Sequence, residues 1–173
     1  MTLARYFFKP MLVVLTLISF GAGMAQTSFP LDSVSGLVTY RGIKHVDPLC
    51  KKKSMAVVKT WAGKRMVFPP GVFSVIHESK NRLILKALTE VPGPKGLHPI
   101  SFKLDIMVSR KSIDFRADNF YFEDITVSLE EWIKKYGSSD SERHKKMVEV
   151  IGKGIGSHVF LMIEDLKNEI NKQ

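Results

Sequence analysis

Five histidines, one cysteine and a run of lysines are the side chains of this 173-residue sequence with the most chemistry to offer. His45, His77, His98, His144 and His158 are scattered, and no two stand at i, i+4 around a glutamate as a zinc peptidase requires. A metal site would have to be assembled across the fold, and the reading expects no cofactor. His77, Glu78 and Ser79 place base, acid and nucleophile types side by side. Successive strand side chains point to opposite faces, however, so these three cannot converge on one substrate atom. A small hydrolase using His77 or His98 in the mouth of a sheet stays open as a second reading. Cys50 has no partner in the chain, so an internal disulfide is impossible, and its place on an apolar helix stripe predicts burial rather than reactivity.

Two further patterns invite a function. Gly152-Lys153-Gly154-Ile155-Gly156-Ser157 has the composition of a phosphate loop, but such a loop follows a strand and opens a helix, whereas this one interrupts a helical stripe. Each glycine costs about 1 kcal/mol relative to alanine inside a helix, so the run predicts a kink, a break or close packing, with a break near Gly154 preferred. The second pattern is basic. Lys51, Lys52, Lys53, Lys59, Lys64 and Arg65 stand between Pro48 and His77, where no acidic residue occurs. This segment is the candidate binding surface, either as a solvated helix face or as a contact for anionic lipid, acidic glycan or an acidic protein. Nucleic acid is not the expected partner, because only Trp61 interleaves with the lysines and it falls on the buried stripe.

The whole chain carries 26 Lys plus Arg against 17 Asp plus Glu, a net charge of +9. Two of the cations, Arg5 and Lys9, precede an apolar run from Met11 to Phe20, after which Gly23 and Ala25 occupy the small-residue positions of a signal-peptidase site. Cleavage after Ala25 is the expectation, with export to the periplasm or beyond. The apolar run is too short for a comfortable span of about 20 residues, so no transmembrane anchor is expected to remain. The part from Gln26 to Gln173 is long enough for one ordinary domain. Outside the basic segment its charges nearly balance.

The elements that must position these residues follow from periodicity. Leu37–Val46 reads as a strand, and Asp47-Pro48 starts a helix whose face is Cys50, Ser54, Val57, Val58 and Trp61, stopped at Gly63. Val72–Glu78 and Arg82–Thr89 form a hairpin, and Val91–Gly96, with two prolines and two glycines, is expected outside any regular element. Ile100 to Ser109 alternates with strict period two, and Ser112–Phe122 alternates until the phase jumps near Asn119, which predicts a bulge. Ser128 with Glu131 and Ser139 with Glu142 are two capping boxes, the first opening a helix that ends near Gly137. The second opens a helix striped by Met147, Ile151, Ile155, Val159, Met162, Leu166 and Ile170. The order β-α-β-β-β-β-α-α implies an α+β architecture, an antiparallel sheet of about five strands with helices on one face.

Phe29-Pro30-Leu31-Asp32-Ser33-Val34-Ser35-Gly36-Leu37-Val38-Thr39-Tyr40, a helix ending in Val57 to Gly63, Asp118-Asn119-Phe120, Leu129-Glu130-Glu131-Trp132 and a closing amphipathic helix occur in this order. The arrangement resembles a domain family of unknown function found in exported bacterial proteins and described as TATA-binding-protein-like (TBP-like). It departs at Arg82-Leu83-Ile84-Leu85, where that family usually carries a glycine pair. The resemblance implies the fold and export, and it carries no catalytic or ligand residue with it. A fold name does not import DNA binding. The sequence therefore points to a non-enzymatic binding or envelope-associated module whose partner is an unknown envelope component or an acidic protein.

Overall fold

The computed structural model describes residues 29–46, 51–67, 72–93 and 96–172. The export segment, Cys50 and the proposed helix start at Asp47-Pro48 lie outside them. Strands β1 (Tyr40–His45), β2 (Phe73–Glu78), β3 (Arg82–Gly93), β4 (Gly96–Val108), β5 (Ser112–Phe122) and β6 (Val127–Ser128) form one sheet. Its order is β1-β5-β4-β3-β2, with β6 on β5, and every pairing is antiparallel. Helices α1 (Lys51–Val67), α2 (Leu129–Gly137) and α3 (Glu142–Asn171) cover one face, α1 against β2 and β4, α2 against β5, and α3 against β1 and β3. The alternation read from the sequence explains this. Ile100, Phe102, Leu104, Ile106 and Val108 point to the helices and are buried, while Lys103, Asp105 and Met107 point to the open face. Among the described strands, two-residue β6 is the one the periodicity did not reveal, since no alternation can register in so short a segment.

Two local predictions hold in detail. Ser128 and Glu131 form a reciprocal capping box at the start of α2. Asn119 takes a left-handed φ of 55° where the β4–β5 register shifts, so the phase jump is a bulge that turns Phe120 inward. Phe120 stacks on Phe102 at 5.1 Å, and Tyr40 meets Phe120 edge-on at 5.6 Å. Burial raises the Tyr40 hydroxyl to a pKa of about 12. The opening turn and the Leu129–Trp132 element, distant in sequence, are joined by the Val38 N–H donating to Glu130 Oε1 at 2.8 Å.

Five expectations need correction. The first strand begins only at Tyr40, because Leu31–Val38 closes into a turn with an isolated bridge and Gly36 at φ 68°. Helix α1 runs through Gly63 to Val67, its last turn tied to α3 by Lys64 and Arg65 strongly enough to override the glycine. Val91, Pro92 and Gly93 belong to β3, and Gly96 opens β4. Proline is tolerated there because β2 starts opposite Ala87, leaving Pro92 on an edge among the described strands where no N–H is demanded. Ser139 does not cap α3. Its hydroxyl bonds His144 Nδ1 at 2.8 Å, and the N-cap is Ser141 without a side-chain bond. Helix α3 is also unbroken at Gly154. The glycines instead admit close neighbours: a Cβ on Gly152 would stand 3.0 Å from the Phe29 ring, and one on Gly154 would stand 3.2 Å from Val91. Packing against the sheet outweighs the helix cost of the glycines.

Candidate functional site

The basic segment is built into the fold through ion pairs. Lys59 Nζ lies 2.6 Å from Glu78 of β2, Lys64 Nζ lies 3.6 Å from Glu169, and Arg65 pairs with Asp165. Arg65 also stacks over Trp61 at 5.4 Å, and the Trp61 indole N–H donates to Asp165 at 2.6 Å. These contacts explain why α1 outlasts its glycine. Lys51, Lys52 and Lys53 open α1, their side chains outside the described residues. The acidic partners come from β2 and α3, far along the chain, so the segment's lack of acidic residues is offset in space.

Burial pushes the Asp165 carboxyl up, but hydrogen bonds from Trp61 and Arg65 and the charges of Arg65 and Lys172 outweigh it and hold the group below its ordinary 3.8. A carboxylate lowered in the fold stabilises above its unfolded value, and that contribution disappears as pH falls through the folded value. Asp165→Asn is therefore expected to lose less thermal stability than the parent chain between about pH 5 and pH 2, read from melting curves across that range. An equal loss in both would remove Asp165 as a source of the acid sensitivity.

The histidines do not converge. His77 is exposed on edge strand β2. His98, on the helix side of β4, donates from Nδ1 to Asp124 Oδ2 at 2.6 Å and meets the Phe122 ring edge-on at 6.1 Å. Its Nε2 would lie 2.5 Å from a Cβ on Gly93, so the bare glycine makes room for the ring. An aspartate orienting a histidine is half of a hydrolytic triad, yet the free nitrogen faces the hairpin backbone instead of a hydroxyl or thiol. No group of three or more His, Cys, Asp or Glu among the described residues could hold a metal ion.

A groove of about 890 Å³ runs between α3 and the β2–β3 edge, lined by Phe73, Leu88, Pro92, Leu97, Leu161 and Met162 among others. Its polar lining is Arg65, Thr89, Glu90 and His158, with His158 Nδ1 bonded to Thr89 Oγ1 at 2.9 Å. On the open face of the sheet, opposite charges interlock. Asp118, 1% exposed, lies 3.0 Å from Lys103 Nζ and 2.6 Å from Arg116 Nε. These are ion pairs by distance, but their angles do not make hydrogen bonds. Arg82 Nε donates to Asp105 at 2.9 Å, and Lys86 pairs with Glu123 at 2.8 Å.

Charge is left uncompensated where the sheet turns. The β1 end, the β2–β3 turn and the β4–β5 turn lie side by side: Val46 N–H donates to Lys111 O at 2.9 Å, and Val108 N–H donates to Asn81 O at 2.8 Å. They bring together Lys44, Lys80, Arg110 and Lys111, none of which makes an ion pair among the described residues. No acidic residue occurs in 44–46, 79–82 or 109–112. The other described cations without ion pairs, Lys134, Lys135, Arg143 and Lys146, are interspersed in sequence with Glu130, Glu131, Asp140 and Glu142, and Lys135 lies over the Tyr136 ring. Sequence reading missed the turn cluster because each turn contributes only one or two cations. The meander pattern places the β2–β3 and β4–β5 turns at one end of the sheet, whereas the β1 end joins them only through the non-sequential pairing of β1 with β5.

A six-stranded antiparallel sheet with three helices on one face, closed by the long α3, defines a TBP-like α+β fold. The chain is similar to a TBP-like protein from Parabacteroides distasonis at a TM-score of 0.62 and 14% identity, over 80% of this chain and 95% of that one. It is also similar to a DUF4468 family protein from Bacteroides ovatus, at 0.60 and 10%, over 79% and 89% respectively. At such identities the likeness shows the fold, which is the one the sequence resemblance implied. No family model and no curated protein matches the sequence.

Proposed function

We propose that the protein is an exported, non-catalytic module that attaches to an anionic component of the cell envelope through the turn end of its sheet. The observation that carries this reading is the concentration of Lys44, Lys80, Arg110 and Lys111 at one end, while Lys59, Lys64, Arg65, Lys86 and Lys103 are paired within the fold. Clustered unpaired cations raise the local concentration of anions and steer them to the surface. The signal-like amino terminus and the resemblance to an exported domain family support the compartment. No helix among the described residues is long and apolar enough to cross a membrane.

The test is titration of the protein from Gln26 to Gln173 with dextran sulfate at increasing ionic strength. Binding should weaken steeply as the Debye length shrinks from about 10 Å at 0.1 M salt to about 3 Å at 1 M. Salt-insensitive binding, or none, would sink the reading. The His98–Asp124 pair supports a second reading, a small envelope hydrolase. Turnover of p-nitrophenyl acetate by the same preparation, lost on His98→Ala, would carry that reading instead.

A further inference from the structure

We infer that the anionic partner is a linear glycan bearing carboxylates at regular intervals, and that it lies across the tips of the β2–β3 and β4–β5 turns. This inference rests on the attachment reading above and adds the chemistry of the partner. The two turns share one geometry. Ser79-Lys80-Asn81-Arg82 closes with the Ser79 N–H donating to Arg82 O at 2.8 Å, and Ser109-Arg110-Lys111-Ser112 closes with the Ser109 N–H donating to Ser112 O at 2.8 Å. In each, the serine hydroxyl donates to the same carbonyl, at 3.4 Å and 3.0 Å respectively. The next position holds Lys80 in one turn and Arg110 in the other, both exposed and without an ion pair among the described residues. With the strand order β5-β4-β3-β2, one turn is the other displaced by two strands, about 10 Å at the usual strand spacing.

A basic residue repeated at that interval calls for a ligand whose charge also repeats. Turns so far apart do not close on one phosphate or carboxylate, whereas a polysaccharide with an acidic sugar at every second position sets its charges about as far apart as the turns. The two turns contain only serine, lysine, asparagine and arginine, with no apolar side chain to enter a lipid interface and no aromatic ring on which a base could stack. Lys44 leaves β1 on the helix side, as Gly42 two residues earlier faces Ile163, so it strengthens the field behind the turns without extending their row. Asp114 pairs with Met107 in the ladder and therefore faces the open side, where it accepts from Ser112 Oγ at 3.3 Å and makes no ion pair among the described residues. Its carboxylate repels an acidic chain from the open face and confines it to the turn tips.

The experiment titrates the protein from Gln26 to Gln173 with hyaluronan oligosaccharides, in which glucuronate alternates with a neutral sugar, beside dextran sulfate and vesicles containing phosphatidylglycerol. The tetrasaccharide, with two carboxylates, is expected to bind about tenfold or more tighter than the disaccharide, because the second turn is then engaged within one complex. K80Q and R110Q/K111Q each discharge one turn, and each should bring the tetrasaccharide down to the affinity of the disaccharide. Melting curves of both variants check that they fold, which the exposure of these side chains favours. If dextran sulfate binds but hyaluronan shows no gain with length, or the gain survives in both variants, the glycan inference falls and the attachment reading stands. The same holds if the vesicles bind and hyaluronan does not, the partner then being lipid. If no anionic probe binds, both fall. If K51Q/K52Q/K53Q removes hyaluronan binding while K80Q and R110Q/K111Q do not, the surface is the start of α1 and the turn-end assignment is overturned.

Discussion

Replacing Phe102 by alanine is expected to lower the unfolding free energy by about 3–5 kcal/mol. The ring is 2% exposed and stacks on Phe120 at 5.1 Å. Its strand is pinned on both sides, with Phe102 opposite Ala87 in β3 and beside the register shift to β5. Neither neighbour can move in to fill the space, because Ala87 is small and Phe120 is held by the bulge at Asn119 and the edge of Tyr40. The lost transfer energy and the residual cavity should therefore add. A domain of this size is stable by only about 5–15 kcal/mol, so the variant would sit close to unfolding. Urea denaturation with an unchanged slope checks it, and a loss below about 1 kcal/mol would show that the site collapses freely.

Gly154→Val and Gly156→Ala should change stability in opposite directions. A Cβ on Gly154 already stands 3.2 Å from the Val91 Cβ and 3.4 Å from the Pro92 ring, and both neighbours are held in β3. A branched side chain there must push α3 off the sheet, at about 1–3 kcal/mol. A Cβ on Gly156 finds only the Tyr40 ring, at 3.6 Å, an ordinary contact. Alanine there should keep the packing and gain about 0.5–1 kcal/mol from helix propensity and a less flexible unfolded chain. Thermal melts of the two variants decide it. A hinge at Gly154 would make both substitutions stabilising, so stabilisation by Gly154→Val would contradict the close-packing account.

These glycines show where local reasoning ran out. Three of them in a helical stripe have the same propensity cost wherever the helix lies, and propensity alone favours a break. What reverses the conclusion is Val91, some sixty residues earlier, in a segment that its prolines and glycines had marked as irregular. The two errors have one cause: β3 extends to Gly93 because α3 covers it, and α3 stays whole because β3 reaches under it. The Ser139 box failed for a different reason. The pattern was right, but His144 claimed the hydroxyl. The Ser128 box and the Asn119 bulge succeeded because each is decided within four residues or by the phase of a single strand.

Period-two alternation from Ile100 to Phe122, the α3 stripe and the capping box at Ser128 are properties of neighbouring residues, so the chain by itself determined the α+β class and which face of β4, β5 and α3 is buried. It also determined the total charge. Where that charge is free could not be determined locally, because electrostatic pairing depends on distance in space. Lys59, Lys64 and Arg65 looked unopposed along the chain and found Glu78, Glu169 and Asp165 across it. Lys44, Lys80, Arg110 and Lys111 looked like isolated turn residues, and only the antiparallel pairing of β1 with β5, β5 with β4, and β4 with β3 set them side by side.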